Sequence, residues 1–596
     1  MCAKKQISEF STSDNSNHVH ENNIIFNLSG QPPLILRGSA AGLCCAIFLA
    51  ASFAVGTGTA SADSILQQVG VTQLQQLNPL LSGAGMSVQQ VEASVSTTSE
   101  VYEPSPVKLG MSSSAFTFVG YPNSGAGYSS ASYSWHAENV ANIFYGSTGV
   151  APSVSHVFVT AADGFAGYYV FPQDAPPATA EVVNQSFAYL NESLSTVQYI
   201  DNAWDNYAAE YNLLFVTAIG DGQTTATTPT SYINPPADMY NGIAVGAYTG
   251  TETNGVYSPS TGSQASWVGP TYDGRSKPDL VAPGQWTSYT APIVSGVATL
   301  MVQAASGTDL SAPVGLSASD SSIASGSATA YTTAATDIRT VKALLLNGAV
   351  KPTGWTNSYT VNSGTYSYNA VNANAITPLD PRYGAGVVNA YNSYENLAGG
   401  EHNFTSTTAQ SIAALPSATS APTANFSGSF SQAASATNPA TITGWNLATI
   451  AASTTSNAVE NYDFNLTGTS LNSWDLTATL TWNKNYNASG INHLMLFLLN
   501  SSGQRVASST SMLDNVQQMN INPALGINSL APGQYDLAVE MLGGVNAIST
   551  SDTYALAWNF VDPTTVPEPT ALAIFALGLS LLAVPKKRAS GVSIGQ

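Results

Sequence analysis

The most constraining stretch of this 596-residue chain is Lys277–Met301, KPDLVAPGQWTSYTAPIVSGVATLM. Its second half is small or apolar at almost every position: Ala291, Ile293, Val294, Gly296, Val297, Ala298, Leu300 and Met301. A helix of that composition presents no broad polar face and must be buried all round. Its first turn then carries N–H groups without intrahelical partners, at the positive end of the helix dipole. Thr287-Ser288 opens the helix, so the Ser288 hydroxyl stands where developing negative charge is favoured. That is what an acyl-transfer nucleophile needs. The alternative role, open to any Ser at such a place, is a plain helix cap.

The chain is long enough for two or three domains. Only 8% of residues are charged, 15 basic against 35 acidic, so hydroxyls and amides solvate most of the surface. A net charge of −20 argues against nucleic acid or an anionic membrane surface as partner. At 44% hydrophobic content a core is affordable and global disorder is excluded. The three cysteines, Cys2, Cys44 and Cys45, all lie near the N-terminus. Export with loss of that region would leave neither a disulfide nor a thiolate metal site.

The two ends speak of export. Arg37, an apolar run from Gly42 to Val55 and Ala60-Ser61-Ala62 form a secretory signal with a long polar lead-in, predicting cleavage after Ala62. Near the other end, Val566-Pro567-Glu568-Pro569 precedes an apolar segment, Thr570 to Val584, and then Lys586-Lys587-Arg588. The apolar part is short for a span of roughly 20 residues, and the basic stop should hold the tail cytoplasmic. These three parts resemble the PEP-CTERM sorting signal of Gram-negative bacteria that make exopolysaccharide. The resemblance implies an exosortase-type enzyme acting at Pro567–Pro569, transient anchoring, a cell-envelope or extracellular location, and an exopolysaccharide matrix as surroundings. A simple tail anchor is the bland alternative.

Between the ends, alternating strand and helix signals predict an α/β domain over 82–400. Ser82-Gly83-Ala84-Gly85 turns into a strand with apolar Met86, Val88 and Val91 that ends at Glu92. Ser134 to Ile143 reads as a helix with His136 in its first turn, followed by Gly149-Val150-Ala151-Pro152 and a strand, His156 to Thr160. Glu181 to Ala188 is an apolar strand running into a polar edge. A helix is expected at Ile200 to Tyr211, then a strand ending in Ala218-Ile219-Gly220-Asp221-Gly222. Asn241 to Ala247 is a buried strand, Ile338 to Ala349 a helix, and Tyr383-Gly384-Ala385-Gly386 a closing turn.

In this order the motifs resemble those of subtilisin-like serine proteases over roughly residues 80–395. The nucleophile segment is similar to Gly-Thr-Ser-x-Ala-x-Pro-x-Val-x-Gly, preceded by Lys-Pro-Asp-x-x-Ala-Pro-Gly. The resemblance implies a three-layer fold with a mainly parallel sheet, Ser288 as nucleophile, His136 as base and Glu92 in the place of the triad Asp. A solvated strand-end Glu is the other reading of Glu92. Ser186, Phe187 and Ala188 would pair with extended polypeptide substrate, as in strand addition. Asp221 falls where the family has the Asn that helps bind the oxyanion.

Three departures stand against full activity. An ionised Asp221 cannot donate a hydrogen bond, and loss of one oxyanion donor costs about 3–4 kcal/mol. A protonated Asp221 could donate, as the Asp of the related, acid-active sedolisins does, which predicts weak activity or a narrow, mildly acidic optimum. Trp286 replaces the Gly before Thr-Ser, with a shortened segment after Gly284. The stretch between Ala62 and Ser82 leaves no room for the family's folding propeptide. The expectation is a secreted serine endopeptidase, with a catalytically inactive surface scaffold or exopolysaccharide-matrix binding protein as its rival. No cofactor is expected: calcium is common in the family, but no Asp/Asn cluster has calcium-loop spacing and no metal ligand set stands out.

Outside that domain, 1–62 is assigned to the signal and its lead-in, 63–81 to a short linker, and 401–440, rich in Ser, Thr, Ala and Pro, to a flexible spacer. Alternating segments such as Leu476–Trp482, Leu494–Leu499 and Tyr535–Met541 predict an all-β sandwich over 441–561, with 566–588 as the sorting segment.

Overall fold

The computed structural model describes residues 62–94, 101–119, 133–190, 192–223, 233–253, 256–259, 265–306, 334–357, 374–375, 377–411, 441–468, 474–544 and 547–562. The export signal, except its last residue Ala62, and the 566–588 segment lie outside these residues. Among the described residues no helix is long and apolar enough to cross a membrane.

Two short helices, α1 (Ala62–Gln68) and α2 (Val71–Leu77), lead into strand β1 (Ser87–Glu92). Next come β2 (Phe116–Val119), helix α3 (Trp135–Phe144), β3 (His156–Ala161), β4 (Val182–Gln185) and α4 (Leu194–Tyr211). Then follow β5 (Leu214–Ala218), β6 (Ile243–Thr253), β7 (Val256–Pro259) and β8 (Leu280–Pro283). Three helices complete the domain: α5 (Thr287–Ala305), α6 (Ile338–Asn347) and α7 (Ala390–Ala398). The sheet order is β8-β6-β5-β4-β1-β3-β2, parallel throughout, with β7 added antiparallel to β6.

Period-2 alternation sorts the strand residues between two helical layers. Asn184 on β4 pairs in register with Gln90 on β1 and Val216 on β5, and it faces α5, where Ser295 donates to it at 3.0 Å. Phe215, one residue away, points to the opposite layer and meets Tyr207 of α4 at 6.3 Å between ring centroids. Strand order reverses direction around β1 and β4, so the crevice beyond their carboxyl ends is where an α/β sheet puts a site. Glu92 and Ser186 sit there.

Helix α5 is buried along nearly its whole length, as its composition requires. Its close approach to the turn after α3 depends on Gly296, where a Cβ would overlap the Val150 side chain.

The C-terminal part is a β-sandwich. Strands β9 (Ser406–Ser411), β10 (Thr443–Ala451), β11 (Ser456–Leu466), β12 (Asp475–Trp482), β13 (Leu494–Asn500), β14 (Arg505–Ser509), β15 (Val516–Ile521), β16 (Gly533–Met541) and β17 (Ser551–Val561) form two sheets. One sheet runs β10-β17-β12-β15; the other runs β14-β13-β16-β11-β9, with a short strand at 374–375 on the β14 edge. Tyr462, Phe464, Leu480, Trp482, Leu496, Tyr554 and Trp558 fill the space between them.

Four sequence expectations are corrected here. The stretch 63–81 is not a linker: Val69, Val71, Leu74 and Leu81 are buried in the main core. The spacer assigned to 401–440 begins as strand β9, paired antiparallel with β11; 412–440 lie outside the described residues. Helix α4 starts six residues before Ile200, because Ser193 caps it through the Thr196 N–H. The sandwich is not a tethered module. Its four-stranded sheet packs on α6 and α7, with Val516, Ala555 and Ala557 in the same core as α6. Polar contacts seal this junction: Gln518 Nε2 donates to Leu346 O at 3.0 Å and Thr479 Oγ1 to Asn347 Oδ1 at 3.0 Å. The Ser276 N–H donates to buried Asp514 at 2.6 Å.

Replacing Gln518 with Ala removes a donor shared by both domains, which should cost about 1–3 kcal/mol. Calorimetry should show one transition for the whole chain, moved down as a unit. Gly296→Val should lose about 1–3 kcal/mol by overpacking against Val150, measured by urea unfolding.

Candidate active site

The imidazole of His136 is fully buried in the first turn of α3. Ser134 caps that helix by accepting the Ala137 N–H at 3.1 Å, which fixes where His136 emerges. Nδ1 of His136 lies 2.8 Å from Glu92 Oε2, and Glu92 is also fully buried. Glu92 is therefore not a solvated strand end. Its other oxygen, Oε1, accepts from Gln90 Nε2 at 2.9 Å.

Ser288 occupies the second position of α5 and is partly exposed. Pro292, four residues on, has no N–H, so the Ser288 carbonyl loses its helical partner. The Ser186 hydroxyl takes that place, donating to Ser288 O at 2.9 Å. In return the Ser288 hydroxyl donates to Ser186 O at 3.5 Å. Asn184, which donates to Ser186 Oγ at 3.1 Å, ties this pair to the sheet. The α3 and α5 first turns face each other: the Tyr289 ring lies 5.9 Å from the imidazole, and Asn139 donates to its hydroxyl at 3.4 Å.

Asp221 lies beside the start of α5 and is 8% exposed. Trp286 precedes the helix in an extended conformation and supplies no side-chain cap. Asp221 does so instead: Oδ1 and Oδ2 accept the Thr287 N–H at 3.0 and 3.2 Å, and Oδ2 accepts the Thr287 hydroxyl at 3.1 Å. The Gly220 N–H donates to that same hydroxyl oxygen at 3.2 Å, and Trp267 Nε1 donates to Asp221 O at 2.7 Å. Burial raises the Asp221 carboxyl to about 7, against the lowering effect of the Thr287 bonds and of His136.

Of the residues singled out from sequence, Glu92 and His136 are in direct contact, and Ser186 and Ser288 are in direct contact. Asp221 is one residue from Ser288 through Thr287. Ala188 is half-buried, but the Phe187 side chain is turned into the core, against Tyr189 at 5.7 Å. Phe187 thus offers a substrate only its backbone. Sequence alone does not single out Gln90, Tyr289 and Asn139, and it marks Thr287 only as the residue that opens the helix. Polar residues in the middle of a buried central strand, two before Glu92, were the available signal for Gln90. Among the described residues no group of three or more His, Cys, Asp or Glu is arranged to hold a metal.

Residues 111–386, under half of the chain, match the model of the subtilase family, Peptidase S8. The match begins after β1, so the assignment of Glu92 stands on geometry. A serine protease/ABC transporter B family protein, tagA, of Dictyostelium discoideum is 31% identical over 182 residues. The shared part is 26% of this chain and 10% of that protein, so this chain spans a small fraction of the relative's length. Among solved structures, the self-cleaved protease domain of PatA is similar at 19% identity and TM-score 0.32, covering 53% of this chain and 98% of that one. The patellamide maturation protease PatG is similar at 14% identity and TM-score 0.34, covering 56% and 96%. The fold assignment rests on the sheet order and register described above.

The stability consequence of Asp221 has a definite sign. Its folded-state value near 7 lies above the roughly 3.9 of an unfolded Asp, so the folded chain holds this proton more tightly. Its contribution is full below about pH 4 and is lost as pH rises towards 7. Asp221→Asn should therefore gain thermal stability relative to the wild type between pH 4 and 7, read from melting temperatures across that range.

Proposed function

We propose that this chain, which carries a subtilase-type domain over residues 111–386, is a serine endopeptidase acting through Ser288, His136 and Glu92. The single observation that carries the reading is the fully buried Glu92–His136 pair beside the first turn of α5, where Ser288 stands. In the reaction the Ser288 hydroxyl attacks a peptide carbonyl while Nε2 of His136 takes its proton. Glu92 keeps the other ring nitrogen protonated and stabilises the imidazolium that forms. The same imidazolium then delivers the proton to the leaving amine, and water resolves the acyl-enzyme by the reverse sequence. Extended substrate would lie along the backbone of Ser186–Ala188. The oxyanion forms at the α5 N-terminus, with Asp221 beside it as the carboxylic acid. The sequence signals at both ends extend the proposal to export, exosortase-type processing at Pro567–Pro569, and action in the cell envelope or surrounding polysaccharide.

A second reading, an inactive binding scaffold, has one observation in its favour: the Asp221 carboxylate is engaged by Thr287 as a helix cap. A fluorophosphonate probe separates the two. The enzyme reading predicts covalent labelling of the folded protein that disappears in Ser288→Ala. Labelling that persists in that variant, or none between pH 4 and 9, supports the scaffold.

Activity should fall as pH rises through about 7, because the acid form of Asp221 is the one that donates. Asp221→Asn, whose amide donates at any pH, should remove this alkaline limb. With the carboxyl near 7, about a tenth of the wild type still holds the proton at pH 8. The variant's kcat/KM on a peptide substrate there should therefore exceed the wild type's by about 10-fold, rising towards about 10²–10³-fold only at higher pH.

A further inference from the structure

Strand β1 is odd for a central parallel strand, because Gln89 and Gln90 at its middle are both fully buried. Gln89 faces the α4 layer and donates to Thr160 Oγ1 at 3.0 Å. Gln90 faces the α3 and α5 layer, on the same side as Glu92. Its amide nitrogen has two acceptors, Glu92 Oε1 at 2.9 Å and the carbonyl of Ala137, the residue after His136, at 3.1 Å. Its amide oxygen accepts the hydroxyl of Tyr145, which follows the last turn of α3 and is fully buried.

Resting on the protease reading, we propose that Gln90 and Tyr145 are positioning residues for the reaction. Together they form a directed hydrogen-bond chain, Tyr145 to Gln90 to Glu92 to His136, which locks the glutamate rotamer and the histidine tautomer. The direction follows from chemistry. Turning the Gln90 amide over would set its oxygen against Glu92 Oε1 and the Ala137 carbonyl, three acceptors with no proton among them. The nitrogen must therefore face Glu92, and Tyr145 must donate. Burial, and next the Glu92 charge, raise the Tyr145 hydroxyl well above its ordinary value, so this proton stays in place. With Glu92 Oε1 taken by Gln90, Oε2 accepts the Nδ1 proton of His136, and Nε2 is left as the base.

The chain answers a problem peculiar to a glutamate at this place. Its side chain has one more torsion than an aspartate, and an unrestrained carboxylate could swing off the imidazole. Gln90 bonds the carboxylate and the helix turn that carries His136 through one nitrogen, so strand and helix hold a fixed spacing. Partners that orient metal-bound histidines typically matter by about 10–100-fold in activity, and the same scale is expected for partners that orient a catalytic one.

The test compares Gln90→Met, Tyr145→Phe and Gln89→Met in the full mature chain. Gln89→Met is the control, since it removes an equally buried amide from the opposite face of β1. Each variant is checked for folding by near-ultraviolet circular dichroism and melting temperature. The expected result for Gln90→Met is a fall of about 10–100-fold in kcat with KM unchanged. The downfield proton resonance of His136 Nδ1–H should also shift or broaden. Tyr145→Phe should show the same pattern in smaller measure, and it carries the test if Gln90→Met does not fold. Gln89→Met should lower stability and leave kcat and the resonance in place. The proposal is overturned if the folded variants of Gln90 and Tyr145 keep both readouts, or if Gln89→Met changes them equally. The resonance is measurable in a protein that hydrolyses nothing, so it decides the chain even if the protease reading fails.

Discussion

The structure turns on what happens to the polar backbone at the start of a helix that has no access to bulk water along most of its length. Helix α5 must be buried because its sequence is apolar on every side, yet its first N–H groups cannot be left without acceptors. Asp221 takes the Thr287 N–H and hydroxyl, and Ser186 supplies a proton to the carbonyl that Pro292 leaves open. Both partners come from the carboxyl ends of neighbouring strands, so the same bonds that finish the helix also fix Ser288 over the crevice of the sheet. Stability and site geometry are one set of interactions here.

The acidic side chain at 221 gives this arrangement its conditional character. As a carboxylate it is a good cap, accepting three hydrogen bonds at the positive end of a helix. As a neutral acid it can also donate, which an oxyanion requires. Burial sets the balance near neutrality rather than in the usual carboxylate range. An asparagine would remove the part of the pH dependence that position 221 contributes.

Much of this was legible from residue order. The apolar α5 segment, the strand ending at Glu92 and the helix carrying His136 in its first turn are local patterns, and they form as read. What escaped the sequence is non-local or concealed by composition. Residues 63–81 look like linker because the stretch is short and Gln-rich, and its apolar residues find their burial only against α7 and the core. The docking of the sandwich on α6 uses Thr479, Thr481 and Gln518, side chains that read as solvated strand faces. Gln90 is concealed because the apolar positions of β1 carry its strand signal, although its buried polar ones are the anomaly. The motif position of Phe187 predicts a place along the substrate, whereas its size and apolarity take it into the core.

The central claim is that Ser288, the buried Glu92–His136 pair and the acid form of Asp221 act as one machine. A crystal structure of the protein phosphonylated by a fluorophosphonate, grown near pH 5, tests it most directly. The account predicts a bond from Ser288 Oγ to phosphorus, with the phosphonyl oxygen within hydrogen-bond distance of Asp221 and of the Ser288 N–H. Nε2 of His136 should stand beside the phosphonyl group, with Glu92 still on Nδ1. An adduct whose phosphonyl oxygen points away from Asp221, with that carboxyl still bound only to Thr287, would contradict it.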